Sequence, residues 1–228
     1  MPELLSPAET SALLLSIKVA LTAVIAELPL AIFLAFILAR TSFYGRNILN
    51  ILIHLPLVLP PVVVGYFLLL LFGNNGPIGR LLEHYFGISL AFRWTGAALA
   101  SAVMALPLMV RAIRLSIEAV DPITENAART LGANRIYVFF SITVPLSYPG
   151  IIAGTILGFA KALGEFGATI TFVSNIPGET QTLSAAIYTF TQSPGGDIPA
   201  LRLAILSVFV SIVALGFSEF LAKYTKKH

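Results

Sequence analysis

Five long apolar runs separated by polar connections dominate the chain, at residues 12–39, 48–72, 96–110, 149–173 and 201–221. All but the third reach or exceed the roughly 20 residues a helix needs to cross a hydrocarbon core. A closed barrel would instead show short segments of alternating character, so the runs predict membrane-spanning helices. The third run, 96–110, is short, and crosses only if Arg111 and Arg114 extend it with their head groups at the interface. Between the fourth and fifth runs lies a mixed segment, 174–200. Its apolar centre, 183–190, is too short to cross and predicts an interfacial or re-entrant helix.

Basic residues fall unevenly among the connections. Arg40 and Arg46, then Arg111, Arg114, Arg129 and Arg135, then Lys223, Lys226 and Lys227 occupy alternate connections, while Arg80, Arg93 and Arg202 lie on the other side. The positive-inside bias assigns the first set to the cytoplasm, with the N-terminus outside and the C-terminus inside, and puts Trp94 at the outer boundary. No internal repeat of solenoid period and no two-fold repetition of broken helices is evident, and no soluble domain or linker interrupts the pattern. The chain reads as a single membrane domain over 1–228, with a core of about 12–222.

Composition agrees with a bilayer: 57% of the 228 residues are hydrophobic and 11% are charged, about half the charge density of a soluble domain. The net charge of +3 fits membrane orientation better than nucleic-acid binding. With no cysteine, a disulfide framework and thiol chemistry are excluded. The first ten residues carry Glu3 and Glu9 and no Lys or Arg, so the first apolar run is expected to be retained rather than cleaved as a signal.

The most informative connection is 121–145, reading DPITENAARTLGANRIYVFFSITVP. Asp121 suits an N-cap, Pro122 the first helical position, and Glu125 the positive end of the helix dipole. Ala127, Ala128 and Leu131 then share one side of a short helix, a small-residue face open to another protein, and Gly132 ends the helix or permits close contact. The Ala127-Ala128 pair, Gly132, Ile142 and Val144-Pro145 resemble the EAA signature of ABC importer permeases, Glu-Ala-Ala and Gly followed by Ile-x-Leu-Pro. Two departures stand out: Asn126 occupies the usual Glu position, with Glu125 just before it, and Val144 replaces Leu. The resemblance extends through HLPLVLPPVVVGY, PLMVRAIR, ARTLGA and GEFGATITFVSNIPGET, which look like molybdate permeases, with sulfate and thiosulfate permeases as the nearest alternative.

That resemblance implies an all-α, polytopic type I importer domain of about five spans. Its coupling loop, with Glu125, Ala127, Ala128, Gly132, Ile142 and Pro145, would dock on an ATPase. It further implies a homodimer of the permease, two cytoplasmic ATPase subunits that use ATP and Mg, and an external molybdate-binding protein. The chain itself shows no phosphate loop of the G-x-x-x-x-G-K-[ST] type, and His54, His84 and His228 lack metal-ligand spacing, so it is expected to bind no cofactor and not to be an enzyme. The rival reading is a secondary transporter working without nucleotide, for which Glu27 or Glu165 would have to hold a coupling ion.

Within the spans, Pro56, Pro60 and Pro61 each remove a backbone donor, so the second run must bend or open, either as a pathway-lining bend or as a static packing kink. Lys161 and Glu165 lie four apart on one helix face and are expected to pair or to face the subunit interior, as part of a gate or as a neutralised structural pair. Thr169 and Thr171 are candidate donors to a passing oxyanion, with bonding to their own backbone as the alternative. Gly154, Gly158, Gly164 and Gly167 predict close helix approach in the fourth run. Glu27 is expected either to pair within the bundle or to face an internal cavity, and His54 to be a packing residue.

Overall fold

The first helix, α1 (Pro7–Arg40), starts at a capping box in which the Ser6 hydroxyl accepts from the Glu9 backbone N–H and the Glu9 carboxylate accepts from that of Ser6. Its 34 residues make a rod of roughly 50 Å. In this computed structural model, which describes residues 5–225, the chain continues through α2 (Arg46–Val58), α3 (Pro61–Phe72), α4 (Pro77–Phe86), α5 (Trp94–Ala119) and α6 (Pro122–Thr130). Next come α7 (Arg135–Val138), a π-helical turn (Phe139–Thr143), α8 (Val144–Leu146), α9 (Tyr148–Leu163), α10 (Gly167–Val173), α11 (Leu183–Thr191) and α12 (Asp197–Thr225). The fold is all-α, with no strand among the described residues.

α1, α5 and α9 form the centre, packed on one another along much of their length. Small side chains permit the approach: Ala20, Ala23, Ala31 and Ala35 of α1 and Ala97, Ala100 and Ala105 of α5 are fully buried. Gly158 of α9 sits where an added Cβ would lie 2.5 Å from the Met109 sulfur. In a bilayer, where lipid tails are as apolar as leucine, such contact between small residues is what favours helix association.

α1 and α5 are each long and apolar enough to cross a membrane, and α2 with α3, and α7–α8 with α9, pass the same test as bent pairs. The third run is longer than its apolar stretch, because α5 carries on through Arg111 and Arg114 to Ala119. There Arg114 donates to the Glu118 carboxylate at 2.7 Å and to the Asn50 side chain at 3.2 Å. The second run is not one rod: the chain bends by 114° between α2 and α3, across Leu59 and Pro60. Consecutive prolines at 60 and 61 leave two positions without donors, whereas Pro56 lies inside α2 without ending it. The fourth run is also interrupted, between α9 and α10 at Gly164, Glu165 and Phe166.

α11 is the short helix expected near 183–190. It packs on α12 and α1, and its first residue, Leu183, donates its N–H to the Ser16 hydroxyl at 2.5 Å. α4 falls in a stretch the hydropathy pattern assigned to a loop; its ten residues mix Leu81, Tyr85 and Phe86 with Arg80 and Glu83, too short and too polar to register as an apolar run. Two ties fasten the end of the bundle opposite α6. Arg202 of α12 pairs with buried Glu9 at 3.1 Å, and the Lys18 ammonium sits 3.6 Å from the centroid of the Trp94 ring.

Candidate functional site

The 121–145 connection is built around a buried carboxylate. The Asp121 side chain accepts from the Ile123 N–H at 2.8 Å and starts α6, with Pro122 at the first position. Glu125, one turn in, is only 4% exposed. Its Oε1 accepts from Arg40 Nε at 3.2 Å and from the Thr143 hydroxyl at 2.8 Å. Arg40, the last residue of α1, also donates to the Val120 carbonyl at 2.7 Å, just before α6. The end of α1, the start of α6 and the π-helical turn are thereby joined at one point. Burying these polar groups is tolerable because each finds a partner.

The opposite face of α6 is open. Ile123, Ala127 and Leu131, spaced by four, are exposed, Leu131 at 89%, while Ala128 is half-buried. α6 stops at Thr130, and Gly132 takes φ +93°, the left-handed conformation that glycine adopts without strain. A Cβ there would meet nothing within 4 Å, so backbone conformation, not crowding inside the chain, calls for glycine. Ile142 lies half-buried in the π-helical turn, and exposed Pro145 follows in α8. Proline at 145 cannot donate to the carbonyl of Ser141, which accounts for the wider turn preceding it. The chain then bends by 70° at Ser147 into α9.

The two broken spans meet at their breaks. A Cβ on Gly167 would lie 2.8 Å from Pro61 Cβ, and one on Gly65 would lie 2.5 Å from the Ala168 carbonyl oxygen and 2.9 Å from Thr171 Cβ. α3 and α10 therefore run side by side in the same direction with backbone almost touching backbone, and Pro60 and Pro61 border the gap in the fourth run. Gly154 and Gly158 likewise face α5, but Gly164 is exposed and its nearest neighbour to an added Cβ is the Ala160 carbonyl at 3.6 Å. The glycines predicted as a set of contact points thus divide into three at helix contacts and one in the break.

Lys161, in the last turn of α9, pairs with Glu165 inside that break, Nζ to Oε2 at 2.5 Å, with the Glu165 side chain 1% exposed. The other carboxylate oxygen accepts from the Ala168 N–H at 3.0 Å, so Glu165 also tethers the first turn of α10. The hydroxyls of Thr169 and Thr171 donate to the Phe166 and Gly167 carbonyls, each at 2.8 Å. His54 bonds the Asn50 carbonyl through Nδ1 at 2.8 Å. Glu27 is 6% exposed, neither of its oxygens has a partner, and it borders a largely apolar cavity of about 370 Å³ between α1 and α5.

Arg40 and Thr143 escape sequence reading as functional residues. Arg40 reads as one more positive charge at the end of a span, and nothing in its spacing from Glu125 announces contact across 85 residues. Gly65 is missed for the same reason: a lone glycine in an apolar run gives no hint of which backbone it meets.

The chain matches the family model described as "Binding-protein-dependent transport system inner membrane component" over residues 3–227. It is 56% identical to the molybdenum transport system permease protein ModB of Escherichia coli (strain K12) over 224 residues, 98% of each chain. Identity to ModB of Haemophilus influenzae is 55% over 219 residues, 96% of each. Among solved structures, a bacterial alginate ABC transporter in complex with an alginate pentasaccharide-bound periplasmic protein superposes with a TM-score of 0.76, covering 97% of this chain and 81% of that one. At 17% identity that likeness speaks for the fold alone. The chain is a multi-pass membrane protein and belongs to the binding-protein-dependent transport system inner membrane component family.

Proposed function

We propose that this chain is the permease subunit of an ATP-driven importer that carries molybdate across the cytoplasmic membrane. The observation that carries the reading is α6: a short helix anchored to the membrane bundle through Glu125 on one side and presenting Ile123, Ala127 and Leu131 on the other. In a helix that merely closed a loop, this apolar face would be a liability in water; against an ATPase it becomes a contact. The identity to molybdenum permeases over nearly the full chain supports the substrate.

The working assembly in this reading is two copies of the permease, two cytoplasmic ATPase subunits that bind ATP and Mg, and an external binding protein that delivers the anion. Closure of the ATPases draws the two α6 helices together. The Arg40–Glu125–Thr143 junction passes that displacement to α1 and α9 as a rigid-body movement. Pro60, Pro61, Lys161 and Glu165 stand where the broken spans meet, which makes this junction our candidate gate, with Thr169 and Thr171 on its α10 side. Passage is weak and transient, because a deep electropositive well would trap a dianion rather than release it.

Orientation follows the positive-inside reading, with α6 cytoplasmic. Cysteine at Ser6 or Asn75 is expected to react with an impermeant thiol reagent from outside and cysteine at Asn134 not to; external labelling at Asn134 would refute it. Deletion of the gene is expected to abolish molybdoenzyme activity at trace molybdate, with recovery in excess molybdate. A deletion strain that thrives at trace molybdate and fails on limiting sulfate would reassign the substrate.

A further inference from the structure

A pocket of about 390 Å³ lies between the end of α1, α6 and the segment from α7 to the π-helical turn, on the side of α6 away from its open apolar face. One part of its wall is aromatic: Phe36 and Phe139 meet edge to face at 4.7 Å, and Phe139 and Phe140 at 4.9 Å. Phe33, 55% exposed, continues this wall along the outer face of α1 towards the apolar part of the span. The other part is basic, lined by Arg40, Arg129 and Arg135. Glu125 pairs with Arg40, whereas Arg129 and Arg135 have no ion-pair partner among the described residues. Glu125 and Arg129, four apart, share the helix side facing the bundle, which explains how an arginine of α6 reaches this pocket.

Two uncompensated guanidinium groups beside an aromatic wall, at the level where an apolar helix ends, match one chemistry: a phosphate attached to a hydrocarbon chain. We propose that this pocket holds an anionic phospholipid, with the headgroup phosphate on Arg129 and Arg135 and an acyl chain along Phe33 and Phe140. Planar guanidinium forks suit phosphate oxygens, and basic pockets between spanning helices favour anionic headgroups. The lipid would rest against the junction that fixes α6, so leaflet charge would bear on coupling. The site does not depend on which anion is transported.

The test uses the purified full-length chain in neutral detergent, with lipid retention read by native mass spectrometry against phosphatidylglycerol and phosphatidylcholine of identical acyl chains. Wild type is expected to retain phosphatidylglycerol preferentially. R129Q/R135Q is expected to lose about fivefold of that preference per arginine, the effect of one basic residue at an anionic membrane surface. R129K/R135K keeps the charge and most of the preference, which separates headgroup binding from loss of fold. R80Q/R93Q removes the same charge at the opposite end and leaves the preference unchanged. Inorganic phosphate at millimolar concentration is expected to compete poorly, since it lacks the chain that lies on the phenylalanines. Equal retention of the two lipids, an unaltered preference in R129Q/R135Q, or displacement by inorganic phosphate at the lipid's own concentration would overturn the proposal. In the first two cases the arginines instead face an acidic partner surface, in the third a free anion.

Discussion

At the 121–145 connection, polar side chains from three segments converge on one buried carboxylate, whereas at the broken spans glycine lets backbone meet backbone. Arg40, Glu125 and Thr143 make directional bonds that fix α6 to α1 in a single geometry. Gly65 and Gly167 make none; they allow α3 and α10 to lie against each other without interlocking side chains. A linkage that must pass on force calls for the first arrangement, and a contact that must slide or part calls for the second. Glu165, inside the break, holds Lys161 on one side and the Ala168 N–H on the other, so it steadies α10 without fastening it to α3.

The largest effect is expected from breaking the anchor. Glu125→Ala leaves Arg40 without its carboxylate and is predicted to destabilise the junction by about 3–5 kcal/mol, the usual result of removing one partner of a buried pair. Hydrogen exchange over α6 should rise and transport should fall at least tenfold. Arg40→Met with Glu125→Leu should recover much of the stability, since an apolar replacement of both partners leaves no charge stranded.

A second intervention thickens the contact between α3 and α10. Gly65→Leu forces a side chain into the Ala168 backbone and is predicted to cost about 1–3 kcal/mol through overpacking, measured by thermal unfolding in detergent. Transport should drop further than stability does. Normal transport would mean that α3 and α10 do not need to approach so closely.

Smaller still is the expected effect of Thr169→Val, about 1 kcal/mol for one lost hydrogen bond to backbone. Uptake should remain close to wild type at equal protein level, because the hydroxyl already serves the Phe166 carbonyl. A collapse of uptake in a stable variant would return this threonine to the anion's path. Least of all is predicted for Leu131→Glu: its side chain is 89% exposed, so permease stability should stay within about 0.5 kcal/mol of wild type. Association with the ATPase and stimulation of its activity should nonetheless be lost, and unimpaired stimulation would show that this face is not the docking surface.

Much of the fold could be read from the chain because a bilayer enforces it. Apolar length sets α1 and α5, Asp121 and Pro122 set the start of α6, and paired prolines set the break before α3. The break at 164–166 was not legible, since Gly164, Glu165 and Phe166 contain no proline and the apolar run continues past them. It arises where Glu165 turns to hold both Lys161 and the Ala168 N–H. The same limit applies to α6. Its cap and small face were local patterns, but the inward role of Glu125 depends on Arg40, which only the folded chain brings near. At the usual signature position stands Asn126, which is exposed. The carboxylate one residue earlier, at Glu125, is buried.

The decisive measurement reconstitutes the permease with an ATPase and a binding protein in vesicles and follows labelled molybdate. Uptake is expected to require ATP and the ATPase and to be competed more strongly by tungstate than by sulfate. Uptake by the permease alone, driven by an ion gradient without nucleotide, would contradict it.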